Sequence, residues 1–171
     1  RIGLGTDVVT RNPDLKLVDS PYDDKAWVAM PALNLDVALI HATRADERGV
    51  CEIASPDHYM DDWFARASAH TVVSVDEMVD STYFNDPEVA RRVYWERNVT
   101  SQVVHLEGGA HPSSSDPLYG FDVAHYKTYG GLIAEGGYAA WADAFLGDSE
   151  ADYQSKVGGL DAIHQLALPA Y

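Results

Sequence analysis

Val37-Ala38-Leu39-Ile40-His41-Ala42 is a nearly continuous apolar run without alternation. That pattern predicts a central strand of a parallel sheet whose two faces are both covered. Thr43-Arg44-Ala45-Asp46-Glu47-Arg48-Gly49 follows, a charged stretch closed by glycine, and it sets polar side chains at the strand's carboxyl end. Open α/β sheets keep their ligands there.

Working outward, Thr71-Val72-Val73-Ser74-Val75 and Gln102-Val103-Val104-His105-Leu106 read as further apolar strands. Ala26-Trp27-Val28-Ala29-Met30, stopped by Pro31, reads as another. Residues 1–25 carry Asn12-Pro13-Asp14 and Ser20-Pro21-Tyr22-Asp23-Asp24, turn formers that leave loop and short extended pieces. Asp57 is expected to cap a helix over 58–69, with Tyr59, Trp63 and Ala67 as its buried stripe and Asp61, Asp62 and Arg66 facing water. Asp86-Pro87-Glu88 suits a first helical turn, with Pro at N1 and an acid favoured by the dipole. From Phe121 onward the pattern turns helical. One helix carries Phe121, Ala124, His125 and Tyr129 on one face, a second spans Tyr138 to Leu146, and a third begins near Ser149-Glu150. Gly130-Gly131, Gly136-Gly137 and Gly147 are expected to separate them. The fold class is α/β: an open, mostly parallel sheet with flanking helices and a helical C-terminal tail.

The 171 residues are 46% hydrophobic and 23% charged, which fits one globular domain. Twelve Lys and Arg stand against 27 Asp and Glu, for a formal charge of -15. A nucleic-acid partner is therefore disfavoured, because the phosphate backbone rewards basic surfaces. Apolar runs fall far short of the roughly 20 residues of a membrane span, so no membrane partner is expected. A single cysteine, Cys51, and no leader pattern point to the cytoplasm. The opening Arg1-Ile2-Gly3-Leu4-Gly5 reads as the interior of a larger domain. Residues 1–171 are accordingly expected to be the C-terminal part of one α/β domain whose N-terminal part is missing.

Arg44, Asp46, Glu47 and Arg48 offer either a guanidinium for a substrate carboxylate or phosphate, or a solvated salt-bridged loop. Glu107-Gly108-Gly109-Ala110-His111-Pro112 offers turn amides to an oxyanion, or a plain strand-ending turn. His41 and His105, inside strands, read as hydrogen-bonded core residues. His58, His70, His125 and His164 follow no ligand spacing and Cys51 stands alone, so no metal is predicted. Ser113-Ser114-Ser115 lacks a nucleophile elbow.

Three stretches carry a resemblance: Leu4-Gly5-Thr6-Asp7 with Asn12-Pro13, the run from Met30 through Ile40-His41-Ala42-Thr43-Arg44 to Gly49, and Glu107 through Pro112. Their order and spacing resemble the α subunit of family I CoA-transferases of the glutaconate CoA-transferase type, although Val50 departs from the family's usual Gly-Asn. Tyr119-Gly120-Phe121-Asp122 extends the match, and Ala151-Asp152-Tyr153-Gln154 resembles its steroid-ring hydrolase members in particular. The resemblance implies a heteromer with a β subunit of similar fold, acyl-CoA bound between them, and a nucleophilic glutamate on that partner. It implies coenzyme A as part of the substrate and no permanently bound cofactor. No catalytic residue is assigned on this chain; Arg44, Glu107, Gly108, Gly109 and His111 are the substrate-binding candidates. The expected activity is CoA transfer from an acyl-CoA to a carboxylic acid. Carbon–carbon bond hydrolysis of a CoA thioester is the alternative, and the third reading is a non-catalytic binding subunit.

Overall fold

A computed structural model of the chain describes residues 3–168, so Arg1 and Ile2 of the opening stretch lie outside the described residues. The chain divides into two compact units, Arg1–Asn34 and Leu35–Tyr171. In the first, a one-turn helix α1 (Val8–Arg11) precedes an antiparallel hairpin of β1 (Lys16–Asp19) and β2 (Ala26–Ala29). The Ser20 hydroxyl accepts the amides of Tyr22 and Asp23, and the Ser20 N–H donates to the Lys25 carbonyl at 2.9 Å. The turn formers thus close the hairpin. The strand read over 26–30 is present and belongs to this two-stranded sheet.

The second unit holds β3 (Leu35–Ala45), β4 (Cys51–Glu52), α2 (Asp61–Ala67), β5 (Ser68–Met78), a 3-10 turn (Ser81–Asn85), α3 (Pro87–Ala90), β6 (Gln102–His105), α4 (Val123–Phe145), α5 (Glu150–Lys156) and α6 (Leu160–His164). The sheet order is β4-β3-β5-β6. β3, β5 and β6 run parallel and β4 pairs antiparallel at the edge. The expected open, mostly parallel α/β sheet is the observed one. Among the described residues no helix is long and apolar enough to cross a membrane.

Register decides where the core sits. Ala38 pairs with Thr71, Ile40 with Val73 and Ala42 with Val75, so these residues share one face, and all six are buried. Ala65 of α2, Trp95, Cys51 and Ile53 pack with that face. Burying a side chain such as Val73 fully is worth about 1.5–3 kcal/mol.

The structure corrects three expectations. The β3 run is covered on both faces only toward its carboxyl end: Val37 is 52% and Leu39 80% exposed, whereas Thr43 on the same face is buried and donates to the Asp116 carbonyl. Helix α2 begins at Asp61, not after Asp57, whose carboxylate instead accepts the Tyr59 amide at 2.8 Å and holds Tyr59 at φ 53°. The shortened helix therefore turns Ala65 to the sheet and leaves Tyr59 81% and Trp63 69% exposed. Asp61 and Asp62 are half-buried, while Arg66 faces water. Finally, α4 runs through Gly130-Gly131 and breaks at Gly137, where φ 71° and ψ -170° leave the helical region. Glycine weakens a helix but does not end one unless the backbone itself turns. The helical turn at Asp86-Pro87-Glu88 with Pro87 at N1, and the start of α5 at Ser149-Glu150, are as the sequence predicts, with Asp86 and Ser149 as their caps.

Candidate active site

Asp76 sits near the carboxyl end of β5, only 1% exposed. Its Oδ1 accepts the Gly108 amide at 2.8 Å and the Tyr119 hydroxyl at 3.0 Å; its Oδ2 accepts the Ser115 hydroxyl and lies 2.9 Å from His41 Nε2. His41 Nδ1 is 2.9 Å from Ser74 Oγ. Burial pushes the Asp76 carboxyl up, but the bonds from His41 and Ser115, the His41 charge and the Gly108 amide outweigh it and hold the group below its ordinary value. Burial, with the same carboxylate, raises the Tyr119 hydroxyl. A buried charge is tolerable here because both its oxygens are fully engaged.

The turn that follows β6 is built around this carboxylate. Gly108 adopts φ +77°, where a Cβ would be strained and would meet Leu160 Cδ2 at 3.0 Å. Its amide reaches Asp76, the Gly109 amide donates to Leu106 O, the Ala110 amide to Tyr119 Oη and the His111 amide to Gly108 O. The glycine turn does bind an anion with a backbone amide, and that anion is the protein's own Asp76.

His111 points the other way, toward the C-terminal helices. Its Nδ1 lies 2.7 Å from Tyr153 Oη and its Nε2 3.2 Å from Asp122 Oδ2. Asp122 Oδ1 caps α4 by accepting the His125 amide at 2.7 Å. Burial raises the Asp122 carboxyl, but that amide and His111 outweigh it and bring the value down. Burial, with Glu150 and Asp122 nearby, pushes Tyr153 up to about 12. Gln154 Nε2 donates to the Glu107 carbonyl at 2.8 Å, and the Glu107 carboxylate pairs with His164 at 3.1 Å.

Arg44 lies in a different network. Its Nε donates to Glu77 Oε2 at 2.5 Å, and Nη1 to Glu52 at 3.2 Å and to Tyr83 at 3.3 Å. Glu52 is fully buried and also takes Arg92 at 2.6 Å. Desolvation lowers the Arg44 value, but Glu52 and Glu77 raise it overall. The structure therefore gathers Glu107, Gly108, Gly109 and His111 in one turn and sets Arg44 apart from them. The two meet through Glu77, which lines a groove at the strand ends with Asp76, Met78, Val79, His105 and Glu107. A second groove is lined by His111, Pro112, Trp141, Glu150 and Tyr153 among others.

Sequence reasoning missed Asp76, Asp122 and Tyr153. Asp76 had a usable signal, a charged residue directly after the apolar run Thr71–Val75, the same signal that singled out Arg44. Asp122 had the spacing of a helix cap. Nothing local marks Tyr153 as the partner of His111, 42 residues away. His41 is hydrogen-bonded as read, whereas His105 bonds the Asp76 carbonyl yet lies exposed.

Residues 2–100 match the family model described as coenzyme A transferase. The chain is 31% identical to the "cholesterol ring-cleaving hydrolase IpdA subunit" of Rhodococcus jostii (strain RHA1), over 92% of this chain and 55% of that protein. It is 27% identical to one subunit of the 3-oxoadipate CoA-transferase of Pseudomonas knackmussii, again over 92% of this chain and 55% of the relative. It thus spans just over half the length of these proteins. Its fold is that of the glutaconate coenzyme A-transferase crystal structure from Acidaminococcus fermentans, with a TM-score of 0.78 and 24% identity over 90% of this chain and 48% of the other.

Proposed function

The chain belongs to the coenzyme A transferase family, and from that premise we propose that it serves as the α-type portion of a two-subunit enzyme that moves CoA between an acyl-CoA and a carboxylic acid. The partner is a β subunit of similar fold. The complex works in the cytoplasm, where CoA enters as part of the substrate. One observation carries the reading: the strand-end groove is built on the Asp76-anchored glycine turn, at the carboxyl ends of the strands where open α/β folds hold ligands.

Three glutamates close to this groove have partners within the chain. Glu52 holds Arg44 and Arg92, Glu77 holds Arg44, and Glu107 pairs with His164. This supports a nucleophilic glutamate on the partner subunit, forming an acyl–glutamyl anhydride and then an enzyme thioester. Arg44, Glu107, Gly108, Gly109 and His111 shape the acyl-CoA pocket. Arg44 fixes the Glu77 wall, and the turn fixes the wall of Asp76 and Glu107.

The test is acyl-CoA exchange by the complete two-subunit enzyme. Arg44→Ala is expected to lower kcat/KM by more than threefold, about 0.7 kcal/mol, with the complex still assembled; a smaller change rejects the role of Arg44. A second reading has its own support. The hydrolase-like tail residues Tyr153 and Gln154 both bond the glycine turn, and the identity to the ring-cleaving hydrolase subunit is 31%. Release of ring-opened acid without an acceptor, rather than a new thioester, selects carbon–carbon bond hydrolysis. A complex that assembles but turns over no acyl-CoA selects a non-catalytic binding subunit.

A further inference from the structure

His111, Asp122 and His125 are separated in sequence and converge in the fold. One ring nitrogen of each histidine and a carboxylate oxygen of Asp122 all lie within 4.8 Å of one another, with both histidines buried. We propose that this trio is a binding site for a borderline first-row divalent cation, of the Zn2+ or Co2+ class, with open coordination positions for water or a ligand oxygen.

The donor set is two imidazoles and one carboxylate, a combination used by three-ligand zinc and iron sites. His111 Nε2 and Asp122 Oδ2 stand 3.2 Å apart, a separation two ligands of one small cation take up. The supporting contacts match those of metal-binding side chains, whose second atom is usually held by the protein. With Nε2 on the ion, His111 Nδ1 carries the proton and donates it to Tyr153 Oη, 2.7 Å away. Asp122 keeps its other oxygen on the His125 amide. The elements that supply these groups, the turn after β6, the start of α4 and α5, are each fixed by other bonds. His111, Tyr153 and Glu150 also line one groove, which gives an ion an approach from solvent.

Trp141 provides the readout. Its indole N–H donates to His125 Nε2 at 3.2 Å. If a cation takes that lone pair, the bond is lost; if it takes the other ring nitrogen, Nε2 becomes protonated and the bond is lost as well. Either way the indole changes environment.

The experiment adds Co2+ to the chelator-treated full chain and follows visible absorption, calorimetry and tryptophan fluorescence. One equivalent per chain should bind, with ligand-field bands and a fluorescence change that Trp141→Phe removes while the bands persist. His111→Gln, Asp122→Asn and His125→Gln should each weaken binding at least about 100-fold, and Tyr153→Phe about 10-fold. The proposal is overturned if the wild type binds no equivalent. It is equally overturned if folded ligand variants bind as the wild type does, which would assign the ion to other side chains, such as the exposed His70 or His105. If a histidine variant unfolds, Tyr153→Phe and Trp141→Phe decide: full affinity in the first, or an undiminished fluorescence response in the second, rejects the site.

Discussion

Asp76 draws donors from three stretches remote in sequence: His41 on β3, Gly108 in the turn after β6, and Ser115 and Tyr119 beyond it. Removing it strands buried donors from all of them at once. Asp76→Ala should cost about 3 kcal/mol in chemical denaturation, the scale of breaking a buried charge's partners. Its titration gives a second check. The folded carboxyl lies below its ordinary 3.8, so folding favours the ionised form. That stabilisation is complete above about pH 4 and is lost as pH falls through the folded value. Asp76→Asn should therefore flatten the acid limb of the stability profile; an acid limb identical to wild type would count against the carboxylate as the hub.

Helix α2 shows how a short element chooses its buried face. Seven residues give two turns, and Ala65, fully buried, meets the sheet while Thr71 donates to its carbonyl at 3.0 Å. The aromatic residues that sequence spacing turns inward lie outward instead. Ala65→Leu should thus cost about 1–3 kcal/mol through overpacking, whereas Trp63→Ala should stay within about 0.5 kcal/mol. Thermal melts of the two variants check this directly, and the opposite ranking would restore the Tyr59–Trp63–Ala67 stripe. The glycine turn is the second decisive element. Its φ +77° at Gly108 lets one amide reach Asp76 while His111 turns toward α5.

At the scale of the molecule, a charge of -15 would repel the polyanionic CoA of the proposed reaction. Arg11, Arg44, Arg48, Arg66, Arg91 and Arg92 each stand against a carboxylate of this chain. Among the described residues few cations are left to hold CoA phosphates, which supports a partner that supplies them. CoA should accordingly bind the two-subunit enzyme more tightly than this chain alone. Its affinity should weaken as salt rises from low to physiological levels, where the screening length shrinks to about 8 Å. Titration calorimetry at two ionic strengths tests both points; affinity indifferent to salt would reject the electrostatic anchor.

The sequence by itself determined β2, β3, β5 and β6 and their order along the chain, because unbroken apolar runs such as Val37–Ala42 and Thr71–Val75 are local signals of strands, whereas β1 and the two-residue β4 carry no such run. It also determined the helix starts at Asp86-Pro87 and Ser149-Glu150, where the Asp86 and Ser149 side chains bond amides two or three residues on. The family was legible for a related reason: the stretches around β3 resemble it locally, and the family model matches residues 2–100. Only the tertiary structure decided which face of β3 is covered, which face of α2 is buried, and where the turn's amides go. Those outcomes depend on packing partners far away in sequence, and local periodicity carries no record of them. The same holds for the site residues. Arg44 was visible as a charge after a strand, but its commitment to Glu52 and Glu77, and the meeting of His111 with Asp122 and Tyr153, arise from contacts spanning up to 42 residues.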